Sequence, residues 1–76
     1  MSPKDAIAIV KADIGGPDVT VISCKNYGAD YLVTAFKDPD DMDPFYLVNK
    51  LDGSIRYYTI AENPVRYYNT PDLKIQ

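Results

Sequence analysis

Phe45-Tyr46-Leu47-Val48-Asn49-Lys50-Leu51-Asp52-Gly53-Ser54-Ile55-Arg56-Tyr57-Tyr58-Thr59-Ile60 is the stretch that decides the fold. Two runs rich in aliphatic and aromatic residues flank Asp52-Gly53, where glycine supplies the positive φ that a hairpin turn needs. The stretch predicts two antiparallel strands, about 45–50 and 54–60. A turn centred on Asp52-Gly53 sets Lys50 opposite Ile55, Val48 opposite Tyr57 and Tyr46 opposite Thr59. Side chains alternate along a strand. One face of the hairpin then carries Tyr46, Val48, Ile55 and Tyr57, and the other Phe45, Leu47, Asn49, Arg56, Tyr58 and Ile60. Both faces are apolar.

Towards the N-terminus, Val19–Lys25 is β-branched and reads as a strand, as does Tyr31–Lys37, with Asn26-Tyr27-Gly28-Ala29 as the turn between them. The register of this first hairpin is open by one residue. Ahead of it, Ser2-Pro3-Lys4-Asp5 is a helix start: Ser2 caps, Pro3 fits the first helical position, and Asp5 sits where a carboxylate favours the helix N-terminus. Ala6, Ile7, Val10 and Ile14 recur at helical spacing and Ile9 widens their face. Gly15-Gly16-Pro17 ends the helix, which spans about 3–14. Beyond the deciding hairpin, Asn63-Pro64 caps a short helical turn through Tyr68, and 69–76 forms an extended tail.

The expected fold is α+β, one domain over 1–76, with an N-terminal helix packed on one face of a four-stranded antiparallel meander. One helix covers only one face of such a sheet. Phe45, Leu47, Tyr58 and Ile60 are the bulkier set and are expected beneath the helix. Tyr46, Val48, Ile55 and Tyr57 are then expected outward as a contact patch, joined by Tyr67 and Tyr68. Contiguous apolar patches mark interaction sites. The alternative is a C-terminal segment folded back over that face.

Composition narrows the function. The chain has 76 residues, one cysteine, no histidine and a net charge of −3. One cysteine makes no internal disulfide, zinc cluster or paired-thiol redox site. The absence of histidine removes the commonest general base and metal ligand together. No basic stripe is present to neutralise phosphates, so nucleic acid is not an expected partner. No apolar run approaches the ~20 residues that span a bilayer, and no signal core follows the start, so a cytoplasmic or virion location is expected, without membrane contact. Seven Tyr and two Phe stand against no Trp. Tyrosine, a large apolar ring with a polar tip, suits interfaces.

Candidate chemistry fails residue by residue. Asp38-Pro39-Asp40-Asp41-Met42-Asp43 is acidic enough to suggest calcium, but an EF-hand loop needs glycine at its sixth position and glutamate at its twelfth, where Asp43 and Asn49 stand. It reads as a solvated loop, with no metal or cofactor expected. Cys24 has no histidine to activate it and reads as a small buried hydrophobe. Gly15-Gly16 follows a helix and precedes a strand, the reverse of a phosphate loop. The doublets Tyr57-Tyr58 and Tyr67-Tyr68 lack the basic groove of a single-strand binder. No enzymatic activity is expected.

The helix, the meander and the Phe45–Ile55 hairpin together resemble the PepSY-like pattern, whose last hairpin reads roughly apolar-x-Val-Asp/Asn-Lys-x-x-Gly-x-Ile/Val. The resemblance spans about 3–60. It is closest to small proteins of tailed phages and prophages with a Tyr/Pro-rich tail, and to small immunity proteins of bacterial toxin systems. Neither group has a catalytic motif to carry over. The resemblance implies a non-enzymatic interaction or structural module, virion-associated, that binds a protein partner or self-associates into a homo-oligomer or capsid-type array. The alternative it implies is an immunity or inhibitor protein that blocks the active site of a toxin or protease.

Overall fold

The computed structural model describes residues 1–15, 18–38, 40, 44–74. Helix α1, Pro3–Ile14, is followed by strands β1 (Thr20–Tyr27), β2 (Asp30–Phe36), β3 (Phe45–Asn49) and β4 (Ile55–Tyr57), a short 3-10 helix (Ile60–Glu62) and helix α2 (Pro64–Asn69). The strands form one antiparallel sheet in the order β1-β2-β3-β4. The expected α+β meander with an N-terminal helix packed on it is what the chain builds.

α1 starts where its cap dictates. The Ser2 hydroxyl accepts from the Asp5 amide at 3.2 Å, and the Asp5 carboxylate accepts from the Ser2 amide at 2.9 Å. Two orphan donors are thereby satisfied reciprocally. Gly15, at φ 110°, closes the helix in the left-handed region, where a side chain would be strained. The expected stop at Gly16-Pro17 lies outside the described residues.

The first hairpin turns through Gly28-Ala29 alone. Gly28 sits at φ 68°, and Tyr27 pairs with Asp30. A glycine of positive φ at the first central position is the two-residue turn that matches strand twist. β1 therefore runs two residues past its expected end. Ile22 is bulged out of the ladder, which passes from Val21↔Ala35 to Ser23↔Thr34.

The deciding hairpin forms, but two residues out of the expected register. Val48 pairs with Ile55, and Tyr46 with Tyr57. The loop holds four residues because Asn49 organises it: its carbonyl accepts from the Gly53 amide at 2.8 Å and its side-chain oxygen from the Leu51 amide at 2.8 Å. A two-residue shift preserves the faces, since the side-chain period is two. β4 ends at Tyr57 rather than at 60. There Thr59 opens the 3-10 helix with a second capping box, its amide donating to Glu62 and its hydroxyl accepting from the Ala61 amide.

The faces are the reverse of the expected assignment. α1 lays Ala6, Ile7 and Val10 on Cys24, Val33, Ala35, Tyr46 and Val48, with Ile55 packed at the margin. Phe45, Leu47 and Tyr58 lie on the other face, in a second cluster with Tyr27 and Leu32, and Ile60 sits in the 3-10 helix. The reason is the row across the whole sheet. In register with Leu47 and Phe45 come Lys25, Thr34 and Arg56, and Asp30 continues the same side. A helix presenting Ala6, Ile7 and Val10 offers those polar groups no partner. The opposite face is apolar apart from the exposed Asn26 at the β1 end, and small at Ala35 and Cys24, so the helix can approach closely.

Candidate interaction surfaces

The six residues expected in one contact patch are divided. Tyr46 is 6% exposed and Val48 wholly buried, so both belong to the core under α1. Ile55 is partly buried against the same core. Tyr57, at the β4 end of that row, lies beyond the helix and is 76% exposed. Its ring is backed by Tyr46, centroid to centroid 5.6 Å. Tyr67 is half-buried and Tyr68 is 75% exposed, their rings edge to face at 5.3 Å. Each exposed tyrosine therefore leans on a more buried one, which limits the freedom its ring can lose on binding.

The C-terminal segment does fold back, over the face opposite α1. It leaves β4 at one edge of the sheet and reaches β1 at the other, where Lys25 and Asp72 form an antiparallel bridge and the Leu73 amide donates to the Cys24 carbonyl at 2.8 Å. We call residues 59–74 the strap. Asn63 caps α2, its side-chain oxygen accepting from the Arg66 amide at 3.1 Å. The strap rides on aromatic rings: Arg66 lies 3.9 Å over Tyr27, and Tyr67 meets Phe45 edge to face at 5.8 Å. Neither helix of the strap has a buried residue of its own.

Beneath the strap the polar groups are paired in part. The Tyr27 and Tyr58 hydroxyls share a hydrogen bond of 2.8 Å. Burial, then that bond, pushes the Tyr58 phenol up to about 12. Arg56 reaches Asp30 at 2.9 Å. Asp30 Oδ1 and Thr34 Oγ1 are buried with no hydrogen-bond partner among the described residues.

Lys25 is the polar centre of the β1 edge. Its side chain is 9% exposed, and its ammonium donates to the Thr70 carbonyl at 2.6 Å and to Asp72 Oδ1 at 2.8 Å, 4.8 Å from the Tyr67 ring centroid. Beside it, between α1 and the β1 edge, runs an open groove of about 340 Å³, walled by Ile7, Lys11, Val21, Ile22 and Leu73. The composition of Val19–Lys25 marks a strand and gives no sign that its one lysine is buried. The pairing of Lys25 with Asp72 spans 47 residues of sequence.

Cys24 is fully buried beneath α1, and burial, then the nearby Asp72 charge, pushes its thiol up to about 11. A protonated, enclosed thiol is a packing group at neutral pH. Of the acidic loop only Asp38 and Asp40 are described, so its calcium reading lies outside the described residues. Among the described residues, no three His, Cys, Asp or Glu side chains gather as a metal site, and no helix is long and apolar enough to cross a membrane. Compared with known proteins, the chain matches no family model, no curated protein and no solved structure.

Proposed function

We propose that this domain is a non-catalytic protein–protein interaction module that contacts its partner through Tyr57, with Tyr68 as a second anchor. The observation that supports the reading is the Tyr57 ring, exposed to solvent and steadied from behind by the buried Tyr46. Tyrosines so placed supply contact area at low entropic cost and dominate interface energetics when a partner covers them. Their edge is also available. In β4 the Arg56 backbone faces β3, so the N–H and C=O groups of Ile55 and Tyr57 point away from the sheet. The PepSY-like resemblance suggests two settings for such a surface, copies of the chain in a virion-type assembly or the active site of a toxin or protease.

The test is a photo-crosslinking phenylalanine analogue at position 57, with one at Ala12, exposed on α1, as control. Crosslinks from 57 that exceed those from 12 support the reading, and their mass separates a second copy from a different protein. Equal yields at both positions would overturn it.

A further inference from the structure

We propose that the β1 edge is a recognition site for an extended acidic–aliphatic peptide segment of a partner protein, occupied in the free domain by the chain's own Asp72-Leu73. The site lies on the opposite edge of the sheet from Tyr57 and stands on different observations. The first is that this edge already accepts an added strand. Leu73 donates to the Cys24 carbonyl at 2.8 Å, and Asp72 pairs antiparallel with Lys25. Main-chain pairing of this kind holds any extended segment, and the side-chain pockets choose which one.

The second observation is what the pockets select. The Lys25 ammonium is almost enclosed, with a side chain 9% exposed. An enclosed cation needs an anion against it, and Asp72 Oδ1 provides one at 2.8 Å. Leu73 packs against the α1 core cluster, and past it the groove continues along Ile7, Val21 and Ile22, the last of these 62% exposed. Lys11 stands on the groove wall as a second cation. The complementary segment is extended, with an acidic residue for Lys25, a bulky aliphatic residue next to it, and a further acidic residue placed for Lys11.

The third observation is that the present occupant is a small part of the packing. The strap helices bury no residue of their own, and Leu73 is only partly buried at the margin of the α1 core cluster, so displacing the tail uncovers that margin and leaves Ala6, Val10, Cys24 and Val33 packed together. A tethered segment competes at an effective concentration of about millimolar. A partner segment that also packs along Ile7, Val21 and Ile22 adds those contacts to the ones Asp72 and Leu73 make.

The test uses the full chain carrying Asp72→Ala with Leu73→Ala, beside the unmodified protein. The probe is the peptide Thr-Pro-Asp-Leu-Lys, the sequence of residues 70–74, titrated by amide chemical-shift perturbation. The variant is expected to bind it at least about tenfold more tightly than the unmodified protein, with shifts centred on Cys24 and Lys25. Replacing the peptide's Asp by Asn is expected to abolish the gain. Failure of the variant to bind, or equal binding of the Asn peptide, overturns the proposal. Should the variant not fold, hydrogen exchange in the unmodified protein decides. The Leu73 amide must exchange at least about tenfold faster than those of Leu32 and Val33, as a locally opening segment does, and equal protection refutes the site.

Discussion

Lys25 and Asp72, 47 residues apart in sequence, meet at 2.8 Å and fasten the chain's last described segment to the edge of its first strand. The two partners are unequal. Lys25 is 9% exposed and Asp72 is 61% exposed. Removing Asp72 leaves an enclosed ammonium with a carbonyl for company, whereas removing Lys25 leaves a carboxylate already in water. Asp72→Asn should therefore destabilise more than Lys25→Met. The difference is on the order of 1 kcal/mol, since solvent at Asp72 discounts the full cost of breaking a buried pair. Urea unfolding of both variants checks the order.

The two faces of the sheet separate stability from surface contact. Leu32 is wholly buried under the strap, and Tyr57 is 76% exposed. Leu32→Ala should cost about 2–5 kcal/mol, a large share of what so short a chain has. Tyr57→Ala loses its contact with Tyr46 and little else, so it should cost under about 1 kcal/mol. Thermal melts that rank Tyr57→Ala as the more damaging change would contradict the face assignment.

How far the sequence carries depends on the range of the signal. α1 was legible because Ser2, Pro3, Asp5 and Gly15 act within one or two turns of each other. The meander was legible from β-branched runs and glycine turns. The facing of the sheet was not, because Phe45, Leu47, Tyr58 and Ile60 outweigh Tyr46, Val48 and Ile55 when the hairpin is taken alone. What overrules bulk is the polar row of Lys25, Asp30, Thr34 and Arg56, which enters only with the register of the first hairpin. The bulge at Ile22 changes which side Val21 faces relative to Ser23, and no local residue type announces it. The Thr59–Glu62 capping box was readable from its spacing and marks where β4 stops. Of the candidate surface, exposure fell on Tyr57 and Tyr68, while the Lys25 site depends on a contact that only the fold creates.

The reciprocal cap at the start of α1 predicts a non-additive pair. Ser2→Ala should cost about 1 kcal/mol. Asp5→Ala should also destabilise, since its carboxylate accepts from the Ser2 amide. Each substitution dismantles part of one motif, so the double variant should lose less than the sum of the two. A double-mutant cycle by chemical denaturation measures the coupling, and strict additivity would mean that the box contributes nothing as a unit.

The buried thiol of Cys24 sets an alkaline limit on stability. Burial first, then the Asp72 charge, pushes it from the ordinary 9.0 to about 11. Between those values the folded protein keeps a proton that the unfolded chain releases, so stability falls as pH rises through this window and is unaffected well below it. The full span amounts to on the order of 2 kcal/mol. Cys24→Ala should be less stable than the unmodified protein at pH 8, for the atoms it removes from the core, yet lose less on moving to pH 10.5. Tyr58, raised by burial and its bond with Tyr27, pushes in the same direction in both proteins and cancels in the comparison. Asp72→Asn removes the second of the two causes, so it should lower the Cys24 value and speed alkylation by iodoacetamide at pH 9. Unfolding curves at the two pH values and alkylation rates at one test both parts. An equal pH dependence with and without the thiol would mean that Cys24 does not titrate differently in the folded state.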